Sequence, residues 1–527
     1  MLIYFVVAPV FMALLQYIFP NAKWGKQLCL LVQGALLAFS FYLFTITREA
    51  PITTNIGGYH GILGIHLQAD SLSSVFLILA AFLFLLASIY CYREKKDRLF
   101  WCLMFIWQGT LIGLLLTRDF FNVFVMIEVI TMVITILIMF ERSKRSIYEG
   151  MIYLMTNVVA SQFYLFGVGY LYRLTGRLDM EAIMQVMHTL EPSALVLPYA
   201  LIMTGIAFKC ALVPLFSWLP MAHGTPGAPS AVSAILSGLQ IKGGVYLFLR
   251  VHGIFFEISS GEIFLIVGII TGFVGVFMAI CQTDIKLILA YHTISQVGLI
   301  FIGLSAGNEY SLLGGMYHIV AHAAFKSVLF LTAGIIIKSY GTRDVYKIGG
   351  VLKRMPLVGA VTIAAVLGIT GAPFFIGSIS KYFISYDVPW LLNWIVIVLS
   401  LGTIISFTKY STMLFGHSDL RGPETQVDKW KLVPSLILGG LCLAGGVFGQ
   451  QMINYLFHAS IRVDPLGYAQ KSLIFFASVA VGLLIYKFIV KGNKTLKRIG
   501  RLNLGFREIC VSMGVFFAML LVAVGVL

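Results

Sequence analysis

The sequence predicts an all-α, polytopic membrane protein with about 14 to 16 transmembrane helices. Of its 527 residues, 59% are hydrophobic and only 11% are charged, and the mean hydropathy is +0.94. Apolar runs of roughly 18 to 25 residues recur along the chain, each long enough to cross about 30 Å of hydrocarbon as a helix. Membrane barrels instead use alternating strands of about ten residues, so a barrel is excluded.

The apolar runs define about sixteen spans in four regions. The predicted spans are 1–19, 27–46, 71–92, 99–117, 120–140, 151–172, 195–219, 229–251, 262–283, 286–306, 311–338, 356–386, 389–416, 431–449, 470–490 and 508–527. The regions are the N-terminal helices 1–98, a first repeat 99–251, a second repeat 262–416, and the C-terminal helices 431–527.

Spans seven and twelve contain helix breakers. Pro214 and Pro220 follow Lys209 in the seventh span, and Pro373 lies between two glycines before Lys381 in the twelfth. Proline removes a backbone donor and clashes with the preceding turn, so both spans should be discontinuous. Paired broken helices are typical of transporters built from inverted repeats. We therefore expect two five-helix repeats of opposite orientation, spans four to eight and nine to thirteen.

Lysine and arginine are concentrated in alternate loops. One set carries Lys23, Lys26, Arg93, Lys95, Lys96, Arg98, Arg142, Lys144, Arg145, Arg343, Lys347, Lys353, Arg354, Lys491, Lys494, Lys497, Arg498 and Arg501. Cytoplasmic loops hold most basic residues, so both termini should lie outside the cell inner (plasma) membrane. The net charge of +15 then faces anionic lipid headgroups, and no nucleic-acid partner is needed.

Two connections have patterns of their own. The outer loop from Arg48 to Asp70 alternates in polarity around several glycines, including Gly61, and predicts a small hairpin. Leu178 to Leu190 has apolar residues at helical spacing and predicts a helix on the membrane surface. The seven cysteines are scattered without metal-ligand spacing, so we expect packing residues, no metal and no cofactor on this chain.

Several ionisable residues lie inside the spans, where a charge is costly and usually functional. Glu128 is near the middle of span five, and Lys209 is the best candidate for its partner. A buried pair keeps both groups ionised, whereas separation favours proton release from the lysine. The alternative is a static pair that only joins two helices.

Lys242 lies among Gly238, Gly243 and Gly244, which allow close helix approach and leave room for water. We expect it to hold the next proton, and a lysine that extends to the membrane surface is the alternative.

His318, His322 and Lys326 are four residues apart, so they share one helix face. Histidine donates and accepts near neutral pH, which suits a proton relay ending at Lys381. Metal binding by the two histidines and simple hydrogen bonding in the core are the rival interpretations. We assign no role to His223, which lies at a loop edge, or to His292 and Lys409.

Between residues 60 and 416 the chain resembles the antiporter-like subunits of respiratory complex I, membrane-bound hydrogenases and Mrp-type cation/proton antiporters. The resemblance rests on FKCALVPLFSWLP, APSAVSAILSGLQIKGGVY and HIVAHAAFKSVLFLTAG, together with Glu128 and the segment around Lys381. It implies fourteen core helices, inverted repeats and a central hydrophilic axis. Glu128 and Lys209 would be the coupling pair, and Lys242 would bridge to the histidine row. Met221 departs from the family's pattern, in which an acidic residue follows WLP.

These patterns predict a proton-translocating subunit of a multi-subunit membrane complex, with no catalytic centre on this chain. Its partners would be other membrane subunits, the lipid bilayer and protons. Three alternatives stay open: an Mrp-like Na+/H+ antiporter subunit, an energising membrane subunit of a hydrogenase or inorganic-carbon uptake complex, and a purely structural anchor. Sodium needs oxygen ligands, whereas this axis is rich in lysine and histidine.

Overall fold

The computed structural model describes residues 1–19, 25–58, 64–224, 228–256, 258, 261–417, 420, 427–502 and 504–525. Lys23 and Gly61, which entered the loop and hairpin predictions, lie outside the described residues. Within them, fourteen helices are long and apolar enough to cross a membrane, and Leu2–Ile18 and Pro356–Thr370 are shorter apolar helices. The sixteen predicted spans all correspond to helices.

The first part of the chain, up to residue 252, contains eleven helices and two strands among the described residues. They are α1 (Leu2–Ile18), α2 (Gly25–Ile46), β1 (Ile52–Asn55), β2 (His66–Ala69), α3 (Ser71–Cys91), α4 (Arg98–Leu116), α5 (Phe120–Ile138), α6 (Lys144–Thr175), α7 (Met180–Met187), α8 (Pro192–Lys209), α9 (Trp218–Gly224), α10 (Ser230–Ile235) and α11 (Ile241–His252). A π-helical turn, Leu236–Gln240, makes α10 and α11 one continuous span.

The second part continues as helices in the part of the chain that is described. They are α12 (Gly261–Cys281), α13 (Ile285–Ser305), α14 (Glu309–Tyr340), α15 (Val351–Arg354), α16 (Pro356–Thr370), α17 (Ile376–Ile384), α18 (Trp390–Ser411), α19 (Lys429–Val447), α20 (Gly449–Phe457), α21 (Pro465–Ile485), α22 (Lys494–Ile499) and α23 (Phe506–Gly525). The break between α8 and α9, and that between α16 and α17, confirm the two predicted discontinuous spans.

The two patterned connections also adopt the predicted local structures. β1 and β2 pair antiparallel, with Ile52 opposite Ala69 and Asn55 opposite His66. The helix α7 forms within the amphipathic stretch, capped by Asp179 and burying Met180, Ile183 and Met187 on one face. The apolar spacing therefore identified the face that packs against the protein.

The chain divides into two compact units. The first comprises residues 1–228, 239–260 and 504–527, and the second comprises 229–238 and 261–503. The eighth span is shared, because α10 groups with the second unit and α11 with the first. Within the second unit, Ser237 in the π-helical turn lies 2.6 Å from Thr293 of α13, hydroxyl to hydroxyl.

Helix boundaries recur at a constant interval along the chain. The corresponding caps are Asp119 and Asp284, Ser143 and Asn308, and Gly176 and Gly341. The helices α6 and α14 are both 32 residues long and both end on a glycine in the left-handed conformation. This regularity supports the predicted repeats 99–251 and 262–416, whose inverted orientation stays a prediction.

Glycine allows α12 and α13 to pack backbone against backbone. A β-carbon on Gly298 would lie 2.4 Å from the amide nitrogen of Gly272 and 2.6 Å from the carbonyl of Gly268. Atoms at these distances overlap, so only glycine fits at Gly298 without a shift of one helix.

We therefore expect Gly298→Ala to destabilise the protein by roughly 1 to 3 kcal/mol, because the added methyl group overpacks this contact. The measurement is the thermal unfolding midpoint of the purified protein in detergent. The matched control is Gly440→Ala in α19, where a β-carbon meets nothing within 4 Å and the better helix former should be neutral or slightly stabilising. Equal midpoints for the two variants would contradict this packing.

Candidate functional site

The break between α8 and α9 is closed by side-chain and backbone contacts. After Lys209, Ala211 has a φ of 55°, a left-handed value that is uncommon without glycine. Trp218 at the start of α9 donates an indole hydrogen bond of 3.0 Å to the carbonyl of Phe208. The same carbonyl also accepts the backbone N–H of Ala211 at 3.0 Å, so the indole adds a second hydrogen bond that ties α9 to the end of α8.

The ammonium of Lys209 is held by two neutral residues of neighbouring helices. Its Nζ donates to Asn157 Oδ1 of α6 at 2.7 Å and to Thr131 Oγ1 of α5 at 3.1 Å. Glu128 is half-buried on α5, one turn before Thr131, and its Oε1 has no hydrogen-bond partner among the described residues. The expected direct ion pair is therefore absent from this conformation, because Asn157 and Thr131 occupy the lysine.

A small cavity adjoins Lys209. It has about 20 Å³ of space for water centres, enough for about one water molecule. Lys209, Thr131, Asn157 and Gln240 give it polar walls. A water molecule here would have the several polar partners that buried water needs, so the site suits proton exchange with Lys209.

Lys242 on α11 is fully buried, which excludes a lysine that extends to the surface. A β-carbon on the adjacent Gly244 would lie 3.0 Å from the backbone and Sγ of Cys210, so α11 packs closely on the break after Lys209. The predicted close approach at this glycine is present.

The second break is capped by the lysine itself. Nζ of Lys381, on α17, donates to the carbonyls of Ile369 at 3.0 Å and Thr370 at 3.1 Å, at the end of α16. A β-carbon on Gly377 would lie 1.9 Å from the carbonyl of Gly368, so glycine is required where the two helix segments meet. A cation at a helix C-terminus also interacts favourably with the helix dipole.

The histidine row is fully buried on α14. His318 connects two helices, since Nδ1 lies 2.8 Å from Ser380 Oγ of α17 and Nε2 lies 3.1 Å from Gln296 Oε1 of α13. Lys326 donates to the carbonyl of Leu289 on α13. His318 thus contacts Ser380, the residue before Lys381 on α17. Sequence spacing alone related only the residues of α14 to one another.

The residues without an assigned role have distinct environments. Lys409 donates to the carbonyls of Ala279 and Ile280 at the end of α12, at 3.0 and 2.6 Å, and to that of Gln282 just beyond it, at 2.5 Å. With three acceptors for three N–H groups, it serves as a helix cap. His292 packs against Phe407 with ring centroids 4.6 Å apart, and His223 is fully buried.

Comparison with known proteins identifies the family. Residues 117–407, more than half of the chain, match the family described as NADH:quinone oxidoreductase/Mrp antiporter, transmembrane. The chain belongs to this family. The matched region contains both helix breaks and every predicted site residue.

Individual members of this antiporter family resemble the chain over most of its length. The D subunit of the Na(+)/H(+) antiporter of Alkalihalophilus pseudofirmus is 29% identical over 457 residues, covering 84% of this chain and 92% of that protein. The N subunit of the NADH-quinone oxidoreductase of Desulforudis audaxviator is 30% identical over 448 residues, covering 78% and 87%. A chain of the Mrp complex from Dietzia sp. DQ12-45-1b has the same fold, with a TM-score of 0.80, 22% identity and coverage of 91% and 99%.

Sequence reasoning missed a partly buried charge cluster of this antiporter-like protein, which is formed by Asp70, Arg118 and Arg250 at or near the ends of spans. Asp70, the cap of α3, accepts from Arg250 at 2.5 Å and from Arg118 at 2.9 Å. Burial alone would raise the pKa of Asp70, but these two guanidinium groups and the amide of Ser73 lower it to about 2. The three charged residues are far apart in sequence, so the sequence shows that they are basic or acidic but does not predict that they are in contact.

We expect Asp70→Asn to lower the free energy of unfolding by about 2 kcal/mol at pH 7. A carboxyl group whose pKa is lower in the folded chain than in the unfolded chain stabilises the fold at pH values above the unfolded pKa, which is near 4. This contribution is lost as pH falls through about 2. Chemical unfolding in detergent measures it, with Asp387→Asn at an exposed position as the control. A loss no larger than that of the control would contradict the role of the cluster.

We expect Lys409→Met to lower stability by roughly 1 to 3 kcal/mol, since it leaves buried carbonyls at the end of α12 without donors. Its proton transport per correctly folded molecule should stay within about twofold of the native value, a ratio equivalent to less than 1 kcal/mol. Thermal midpoint and transport are measured on the same vesicles. Normal stability with abolished transport would instead place Lys409 in the proton path.

Proposed function

We propose that this chain is the proton-translocating subunit of a larger membrane complex and that its buried ionisable residues carry the proton. The observation that supports this most strongly is the geometry of the lysines at the two helix breaks. Among the described residues, each lysine is bound only by neutral acceptors. Lys209 donates to Thr131 and Asn157, and Lys381 donates to the carbonyls of Ile369 and Thr370. Such a lysine can lose its proton without leaving a carboxylate unpaired.

The proposed order of proton transfer follows the buried groups. Lys209 exchanges a proton through its cavity, Lys242 takes the next position, and the row on α14 passes it to Lys381. The hydroxyl of Ser380, held by His318 and next to Lys381 in sequence, supports the last transfer. Glu128 acts on Lys209 through its charge, and its approach to the ammonium would hold the proton there.

The family and the basic loops support the proposed partners and orientation. The Mrp complex that shares the fold is a multi-subunit assembly, and we propose that this chain also works among other membrane subunits in the cell inner membrane. The alternating basic loops favour both termini on the outer side.

Sodium exchange is the second candidate, because one relative is named as part of a Na(+)/H(+) antiporter. Sodium binding requires several oxygen ligands, whereas four lysines carry most of the buried charge of the axis described above. We therefore propose that any sodium site in the assembly lies on another subunit. Quenching of a pH gradient by sodium in vesicles that contain this chain alone would contradict this assignment.

We expect Lys209→Ala and Glu128→Gln each to reduce coupled proton movement by at least about tenfold, which corresponds to an increase of about 1.4 kcal/mol or more in the limiting barrier. The first variant removes the proton carrier and the second removes the charge that controls it. Proton movement is measured with a pH-sensitive dye in sealed vesicles that contain the assembled complex.

Lys338→Gln is the control, because it removes an exposed lysine near the end of α14. It should assemble and transport normally. Native transport rates in both Lys209→Ala and Glu128→Gln, with equal amounts of complex, would refute the proposed function.

A further inference from the structure

The N-terminal part of α21 differs from the rest of that helix. Most of α21 is exposed, with only Gly482 buried, as expected for a helix that faces lipid. Lys471 belongs to the half-buried side of α21, and its ammonium contacts the protein. An ionisable residue inside a span is costly unless it has a partner or a function.

Lys471 has a complete set of acceptors. Its Nζ donates to Asn393 Oδ1 at 2.6 Å, to Ser385 Oγ at 2.8 Å and to the Ser385 carbonyl at 3.4 Å. The hydroxyl of Ser385 in turn donates to the carbonyl of Lys381 at 2.9 Å. One serine therefore connects Lys471 to the residue that ends the proposed proton path.

The two lysines also line one cavity. It offers about 70 Å³ of space for water centres, room for several water molecules. Ser378, Ser385 and Tyr468 add hydroxyl groups to its wall. Water in this cavity would have enough polar partners to be held between Lys381 and Lys471.

Tyr468 fixes α21 against the second helix break. Its hydroxyl lies 2.8 Å from Ser378 Oγ and accepts the backbone N–H of Phe374 at 3.0 Å. The backbone N–H of Asp464 donates to the hydroxyl of Tyr382 at 3.2 Å. These contacts hold Lys471 beside the cavity rather than leaving α21 free to move away in lipid.

We propose that Lys471 is the release group of the proton path, an inference that rests on the proposed function. The Lys381 ammonium gives its proton to cavity water, which passes a proton to the neutral amine of Lys471. The Lys471 ammonium then returns one proton to the aqueous phase at the end where α21 begins. Lys471 lies six positions after Pro465, the first residue of α21. At the rise of an α-helix this is about 9 Å, so this end of the helix is near.

Three substitutions separate proton exchange from a structural role. Lys471→Gln keeps a donor but cannot ionise, and it should slow proton release at least tenfold in vesicles that contain the intact complex. Lys471→Arg keeps both the positive charge and the donors but does not deprotonate at working pH, so release should stay slow. Lys471→His titrates near neutral pH and should restore release, with its dependence on the pH of the receiving side shifted to lower pH.

Lys487→Gln, which removes an exposed lysine from the same span, should leave transport unchanged. Native rates in both Lys471→Arg and Lys471→Gln would overturn the inference, as would rescue by arginine but not by histidine. If Lys381→Ala abolishes transport while Lys471→Gln transports normally, only this inference fails. If Lys381→Ala also transports normally, the proposed function fails.

Discussion

The structure depends on one constraint, which is that a backbone carbonyl freed by a broken helix inside a membrane must find a donor within the protein. At the second break the ammonium of Lys381 is this donor. At the first break the Phe208 carbonyl accepts the backbone N–H of Ala211, and the indole of Trp218 adds a second hydrogen bond to it. Lys209, beside the first break, binds the side chains of Asn157 and Thr131 on two neighbouring helices. Each break thus lies next to a lysine with polar partners, which are side chains of neighbouring spans at the first break and carbonyls of the helix end at the second.

Lys409 and Lys381 both donate hydrogen bonds to backbone carbonyls at helix ends, but they differ in their access to water. Lys409 binds three carbonyls at the end of α12, and its donors are fully used. Lys381 binds two carbonyls and borders a cavity with room for water. Access to water therefore distinguishes a helix cap from a residue that can exchange a proton.

Much of this architecture could be predicted from the sequence, because span length and helix breakers are local properties. The two breaks, the hairpin and the buried face of α14 all follow from such patterns. The partners of Lys209 could not be predicted, since Thr131 and Asn157 are ordinary neutral residues on two other helices. The preference for Glu128 as the direct partner was wrong for this conformation because charge attraction was weighed without the competing amide and hydroxyl groups. The cluster around Asp70 was missed for a related reason, as its members meet only in the folded chain.

The central claim is that the buried groups form one path, and blocking its middle tests this most directly. The measurement is proton uptake on one membrane face and proton release on the other during a single turnover of the intact complex that carries Lys326→Ala. The account predicts that uptake at the Lys209 end persists while release at the Lys381 end is lost. Release equal to that of the native complex would show that protons do not pass along α14 and would contradict the account.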